Sequence, residues 1–141
     1  MSFVHLQVKS SYSFLQSTIK IQDYVRYIKS LGLNTCVITD HQVLHGAYEF
    51  YQLCHRENIK PVVGMSVDVY IKHDQRPITF YLYAKDFEGY QSLVQLSNIK
   101  NLKKERVTIA HILECTGIIP VISFYDTYIE EVVYLNDEVK L

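Results

Sequence analysis

Short apolar runs rich in β-branched residues alternate with stretches whose apolar residues recur at helical spacing, and this alternation limits what the chain can fold into. FVHLQV near the amino terminus reads as a strand. Residues 19–31 read as a helix with Ile21, Val25 and Ile28 on one side, ended by Gly32. Residues 35–38 read as a buried strand, with Asp40 and His41 just past its end. A second helix is expected over 46–57. Pro61, Val62 and Val63 begin a third strand that Gly64 cuts, and 67–71 and 78–84 are two more, joined by a turn over 74–77. Helices over 87–98 and 109–114, a strand over 118–122 and a tail of helix then loop complete the expectation.

Strand, helix, strand, helix predicts an α/β fold with a parallel sheet or barrel, whose sites gather at the carboxyl ends of the strands. The 141 residues suggest one domain over 1–141. A closed α/β barrel takes roughly 200 residues or more. The chain is therefore either an open sheet or the first part of a longer protein, with an unpaired strand edge. A formal net charge of -1 supplies no global pull towards nucleic acid or an anionic membrane. No apolar run is long enough to span a bilayer and the start carries no secretory signal, so no membrane contact is expected. Cys36, Cys54 and Cys115 are odd in number and form no CxxC pair, which favours free thiols in a reducing cytoplasm. Twelve tyrosines and no tryptophan suggest rings packed at the edge of the core with wet hydroxyls.

His5, Gln7 and Lys9 would share one face of a strand. A His-x-His pair there would aim two imidazoles at one metal. Here Gln7 is a poor ligand, and the Lys9 ammonium either repels a cation or replaces one by neutralising nearby carboxylates. A half-exposed strand with ordinary polar alternation fits the same residues. Thr39, Asp40 and His41 place a carboxylate beside an imidazole at a strand end, suited to a metal or to base chemistry, or to a simple turn cap. His41 and His45 could share a metal if helical, although Gly46 suggests a loop. His55, His73 and His111 read as surface or helix-end residues. Lys100, Lys103, Lys104 and Arg106 form a small basic run, either a phosphate contact or a solvated face. There is no Walker loop, no GxGxxG and no serine elbow.

Four segments in order, FVHLQVKSSYSFL, LGLNTCVITDHQVLHGAYEFY, NIKPVVGMSVDVYI and YLYAKDFEGYQSLVQLSN, resemble the PHP (polymerase and histidinol phosphatase) domains at the amino terminus of bacterial DNA polymerase III alpha subunits. The resemblance covers about residues 1–125. It implies a PHP-type distorted (β/α)7 barrel, present here only in its N-terminal part. The polymerase palm and fingers are not in this chain.

Active family members hold a zinc or manganese cluster and hydrolyse phosphoesters, some as a 3′–5′ exonuclease. Carried over by position, the resemblance leaves His5, Asp40 and His41 as ligands, with Thr39 beside them. Gln7, Lys9, Gln16 and Ser66 occupy positions where ligands are lost, as does Thr79; Asp68 lies two residues after Ser66 on the same face without counting as a substitute. The expected catalytic set is therefore empty, and no metal is expected unless His5, Asp40 and His41 hold one. The implied function is a degenerate structural and interaction module within a DNA-directed DNA polymerase, a nucleotidyltransferase of DNA replication that uses magnesium. Implied partners are the remaining polymerase domains, replisome or proofreading subunits, and DNA through the parent chain. The alternatives are a residual metal-dependent phosphoesterase or 3′–5′ exonuclease, and a stand-alone binding module.

Overall fold

A computed structural model describes residues 3–71 and 76–123. Its elements are α1 (Ile21–Ser30), β1 (Thr35–His41), α2 (Ala47–Arg56), β2 (Lys60–Tyr70), β3 (Ile78–Ala84), α3 (Phe87–Asn101), β4 (Val107–Thr108), α4 (Ile109–Leu113) and β5 (Ile118–Ile122).

Helix ends follow local chemistry. After α1 the chain turns left-handed at Gly32, whose N–H reaches the Lys29 carbonyl while Leu33 N–H reaches Ile28 O. These two bonds close a Schellman motif. Asn58 does the same after α2, with Asn58 N–H on His55 O and Ile59 N–H on Cys54 O. Asp86 caps α3 by accepting from Gly89 N at 2.9 Å. Thr108 and the ring of His111 form a capping box at α4, so His111 is the helix-end residue expected.

The sheet runs β1-β2-β3-β5, and β4 adds to the β1 side of β2 beyond the end of β1. The pairs β1·β2 and β2·β4 are parallel, whereas β2·β3 and β3·β5 are antiparallel. The expected parallel sheet is thus a mixed one, because β2 and β3 are consecutive in the chain with no helix between them to carry a crossover.

Period-two alternation divides the sheet into two unlike faces. Met65, Val67, Val69, Ile78, Phe80 and Leu82 point to one side and pack on Leu93 and Leu96 of α3 with Val107 and Ile112. Cys36 and Ile38 continue this layer against Ile21, Val25 and Ile28 of α1 and Phe50 and Cys54 of α2. The register puts Thr39, His41, Gly64, Ser66, Asp68, Thr79, Tyr81 and Tyr83 on the other side.

Four expectations need correction. Residues 3–8 form no strand. Val8 N–H bonds the Thr39 hydroxyl at 2.9 Å, and Ser10 N–H bonds the Asp40 carboxylate at 2.7 Å. Only Thr39 N–H to Val8 O, at 2.7 Å, joins the two backbones, so side chains take the place of a ladder. Secondly, Gly64 does not cut a strand, and β2 runs unbroken through it to Tyr70. A Cβ at Gly64 would lie 2.8 Å from Leu82 O and 2.9 Å from Tyr83 Cδ1, so the glycine admits the tyrosine ring. Thirdly, Asp40 and His41 are the last residues of β1 rather than the first beyond it. Fourthly, β4 was not expected. The turn expected over 74–77 lies partly, and His73 and the tail from 124 wholly, outside the described residues.

Candidate functional site

The polar face of the sheet carries His41, Ser66, Asp68 and Thr79, while the register turns Asp40 to the opposite face, where Ser10 and Ser13 of the amino-terminal segment meet it. Tyr83 ties that segment down: its hydroxyl donates to Leu6 O at 2.8 Å, and burial pushes it up to about 12, so it stays a neutral donor.

Asp40 is buried, with 3% of its surface exposed. Its Oδ1 accepts from Ser10 N at 2.7 Å and from the Ser13 hydroxyl at 2.6 Å, and its Oδ2 accepts from the Ser10 hydroxyl at 2.7 Å. Ser13 Oγ in turn accepts from His41 N at 3.0 Å. A buried carboxylate requires such partners, and these come from residues 27 and 30 positions away. Asp40 therefore fastens the loop of Ser10 and Ser13 to the end of β1.

His41 points its ring along the carboxyl end of β2. Nδ1 lies 3.2 Å from Ser66 Oγ, and Nε2 lies 3.5 Å from Asp68 Oδ2. Asp68 also accepts from Gln42 Nε2 at 2.9 Å and from the Thr79 hydroxyl at 2.9 Å. The hydrogen bond from His41 holds the Asp68 carboxyl below its ordinary value, helped by Thr79 and opposed by partial burial. Gln42 is left-handed at φ 59, and its carbonyl accepts from Asn101 Nδ2 at 2.7 Å, which pins the turn to α3. The sequence placed Asp68 on the right face through its parity with Ser66. It gave no sign of Gln42, Ser10 or Ser13, which are ordinary polar residues until the fold chooses their partners.

Lys9 and Gln16 meet directly: Lys9 Nζ donates to Gln16 Oε1 at 2.6 Å. Neutralisation of nearby carboxylates by Lys9 is not found. Among the described residues its ammonium forms no ion pair within 4.0 Å, and Asp40 is served by serines. Gln7 and His5 are exposed, and the His5 ring packs edge-on to Phe3 at 4.6 Å. His45 sits in a turn before α2, as the loop reading expected. In the basic run, Lys100 lies in the last turn of α3 and the Arg106 guanidinium lies 4.8 Å from the centre of the Tyr70 ring.

The donors present do not fit a cation cluster. Among the described residues no group of three or more His, Cys, Asp or Glu side chains could hold a metal ion. The two strand-end carboxylates spend their oxygens on hydroxyl, amide and imidazole groups of the chain itself. Among the described residues, too, no helix is long and apolar enough to cross a membrane.

Comparisons with known proteins bear on the family and the fold. The PHP domain model matches residues 5–135. The DNA polymerase III subunit alpha of Bacillus subtilis is 35% identical over 106 residues, covering 74% of this chain and 10% of that protein. Its counterpart in Helicobacter pylori is 34% identical over 110 residues, covering 72% of this chain and 9% of that protein. The chain thus spans about a tenth of the length of these curated relatives. Among solved structures, an amidohydrolase from Chromobacterium violaceum superposes with a TM-score of 0.54 at 16% identity, covering 71% of this chain and 34% of that one. That likeness concerns the fold alone, and this chain covers about a third of that protein.

Proposed function

Because this chain belongs to the PHP domain family, we propose that it is the PHP region of a replicative polymerase of the DNA polymerase III alpha type, and that it works there as a brace and contact surface without phosphoesterase activity of its own. Nucleotidyl transfer, magnesium binding and DNA binding then belong to the rest of the parent chain, and its remaining domains are the first partners.

The observation that carries the non-catalytic half is the state of Asp40. Metal-assisted hydrolysis needs carboxylate oxygens free to ligate a cation that activates water. Asp40 is buried and accepts three hydrogen bonds from Ser10 and Ser13, which a cation would have to displace. The Lys9 ammonium adds a repulsive charge on the neighbouring segment.

Two measurements test the proposal. Elemental analysis after dialysis against manganese or zinc is expected to find no stoichiometric metal, and bis(p-nitrophenyl) phosphate is expected to hydrolyse no faster than in buffer. Two manganese ions per chain, with hydrolysis lost in His41→Ala, would instead establish the residual phosphoesterase. The native gene is expected to read on past the codon of Leu141 into polymerase sequence. A stop codon there would remove the replicative half.

A further inference from the structure

We propose that Cys36 and Cys54 are a peroxide-responsive thiol pair, which hydrogen peroxide converts to a disulfide joining β1 to α2. Cys36 is the second residue of β1, and Cys54 lies in the last turn of α2. The two sit in one buried cluster with Ile38 and Phe50, and both are free thiols. Cys36 is roughly 16 Å along β1 from His41. The pair therefore stands apart from the strand-end positions described above.

Hydrogen bonds around the pair give its two sulfurs different roles. Cys54 donates its S–H to the Cys36 sulfur, and Tyr24 of α1, which packs against the same cluster, donates its hydroxyl to that sulfur too. The bond from Cys54 lowers the Cys36 thiol, opposed by burial and helped by Tyr24 and by Val37 N–H. The same bond raises the Cys54 thiol, and burial adds to it. The Tyr24 hydroxyl, raised by burial and then by Cys36, keeps its proton to donate. The thiolate is the nucleophile in sulfur chemistry. Donors that converge on Cys36 make it the attacking sulfur and leave Cys54 as the resolving one.

The chemistry balances in two steps. The Cys36 thiolate attacks one oxygen of the peroxide and the O–O bond breaks. The other oxygen leaves as hydroxide, takes up the proton that Cys36 released and becomes water, and Cys36 is left as a sulfenic acid. The Cys54 sulfur, giving up its proton, then displaces the sulfenic hydroxyl, which forms the S–S bond and a second water. Two thiols lose two electrons, and one peroxide is reduced to two waters. A thiol reductant reverses the bond by exchange. Access follows from position, because helix ends fray and α2 closes through Ile59 N–H on Cys54 O at 2.8 Å. An opening there admits a molecule little larger than water while it still excludes a bulky thiol reagent. The inference goes beyond the scaffold reading and does not depend on it.

The test exposes the reduced chain to hydrogen peroxide in EDTA and quenches it with catalase. Remaining thiols are then labelled with N-ethylmaleimide in urea and counted by mass. Two of the three thiols should be lost. Peptide mapping should place the bond between Cys36 and Cys54, and dithiothreitol should restore both thiols. In Cys54→Ser, dimedone should trap a sulfenic acid at Cys36, whereas in Cys36→Ser it should leave Cys54 unlabelled. Cys54→Ala and Cys36→Ala replace a serine variant that loses its amide NMR dispersion, and mapping of the parent chain decides the pairing without any variant. The parent chain unfolded in urea is the control, and its disulfides should scatter over all three cysteines. Three thiols that persist in the folded chain, a cross-link through Cys115, dimedone on Cys54, or the same scatter folded and unfolded overturns the proposal.

Discussion

Replacing Asp40 by asparagine separates a structural carboxylate from a vacant metal ligand. In the metal-free protein the two roles predict opposite signs. As a structural anchor, Asp40 accepts from Ser10 N, Ser10 Oγ and Ser13 Oγ at 2.6–2.7 Å in a buried setting. Asparagine keeps one oxygen and turns an NH₂ group towards a donor, so at least one bond becomes a clash of donors. A hydrogen bond to an ionised group contributes about 1.5–3 kcal/mol. Because one acceptor oxygen remains and the freed serines partly recover their loss in water, the expected destabilisation is about 3 kcal/mol, the low end for two bonds to an ionised group.

With a urea slope of about 1.5 kcal/mol per molar, the unfolding midpoint in EDTA should fall by about 2 M. Tyrosine fluorescence can follow it, since the chain has 12 tyrosines and no tryptophan. Ser13→Ala should cost less, and the double variant should cost less than the sum, because both changes break the same bond. Proteolysis should reach residues 3–17 first in Asp40→Asn. If Asp40 were an empty cation ligand, removal of its charge would leave the metal-free protein unchanged or more stable. A midpoint that stays put or rises in EDTA refutes the anchor.

Asp68 should give stability an acid limb. Its folded carboxyl lies below the ordinary value of 3.8, chiefly through His41, so its contribution is present above that value and is lost as pH falls through the lower folded one. Acid titration of stability should show this limb in the parent chain and a flatter one in Asp68→Asn; identical curves would contradict it. Gly64→Ala should cost about 1–3 kcal/mol, because overpacking must move Leu82 O or the Tyr83 ring, and unchanged thermal unfolding would show that the sheet accommodates the methyl. Cys36 and Cys54 are buried at 1% and 0% exposure and should resist a thiol reagent until the chain unfolds. Half-buried Cys115, its thiol raised by burial, should react slowly in the native state; three fast thiols would disprove this packing.

The residues that pack α1 were legible in the sequence because their signal is local. Ile21, Val25 and Ile28 recur at one helical face, and Gly32 stops the helix by its own backbone freedom. The alternation of β3 likewise announces which residues meet helices and which meet the polar face. Family membership was also written in residue types and their order.

What only the tertiary structure decided is which polar group each of these residues chose. Nothing within a few positions of Asp40 says that Ser10 and Ser13 will saturate it, or that Val8 will bond to a side chain where a strand ladder was expected. A helix or strand preference is set by neighbours along the chain. A hydrogen-bond partner some 30 residues away is set by where the sheet and its helices bring two backbones together, and only the packed fold carries that information.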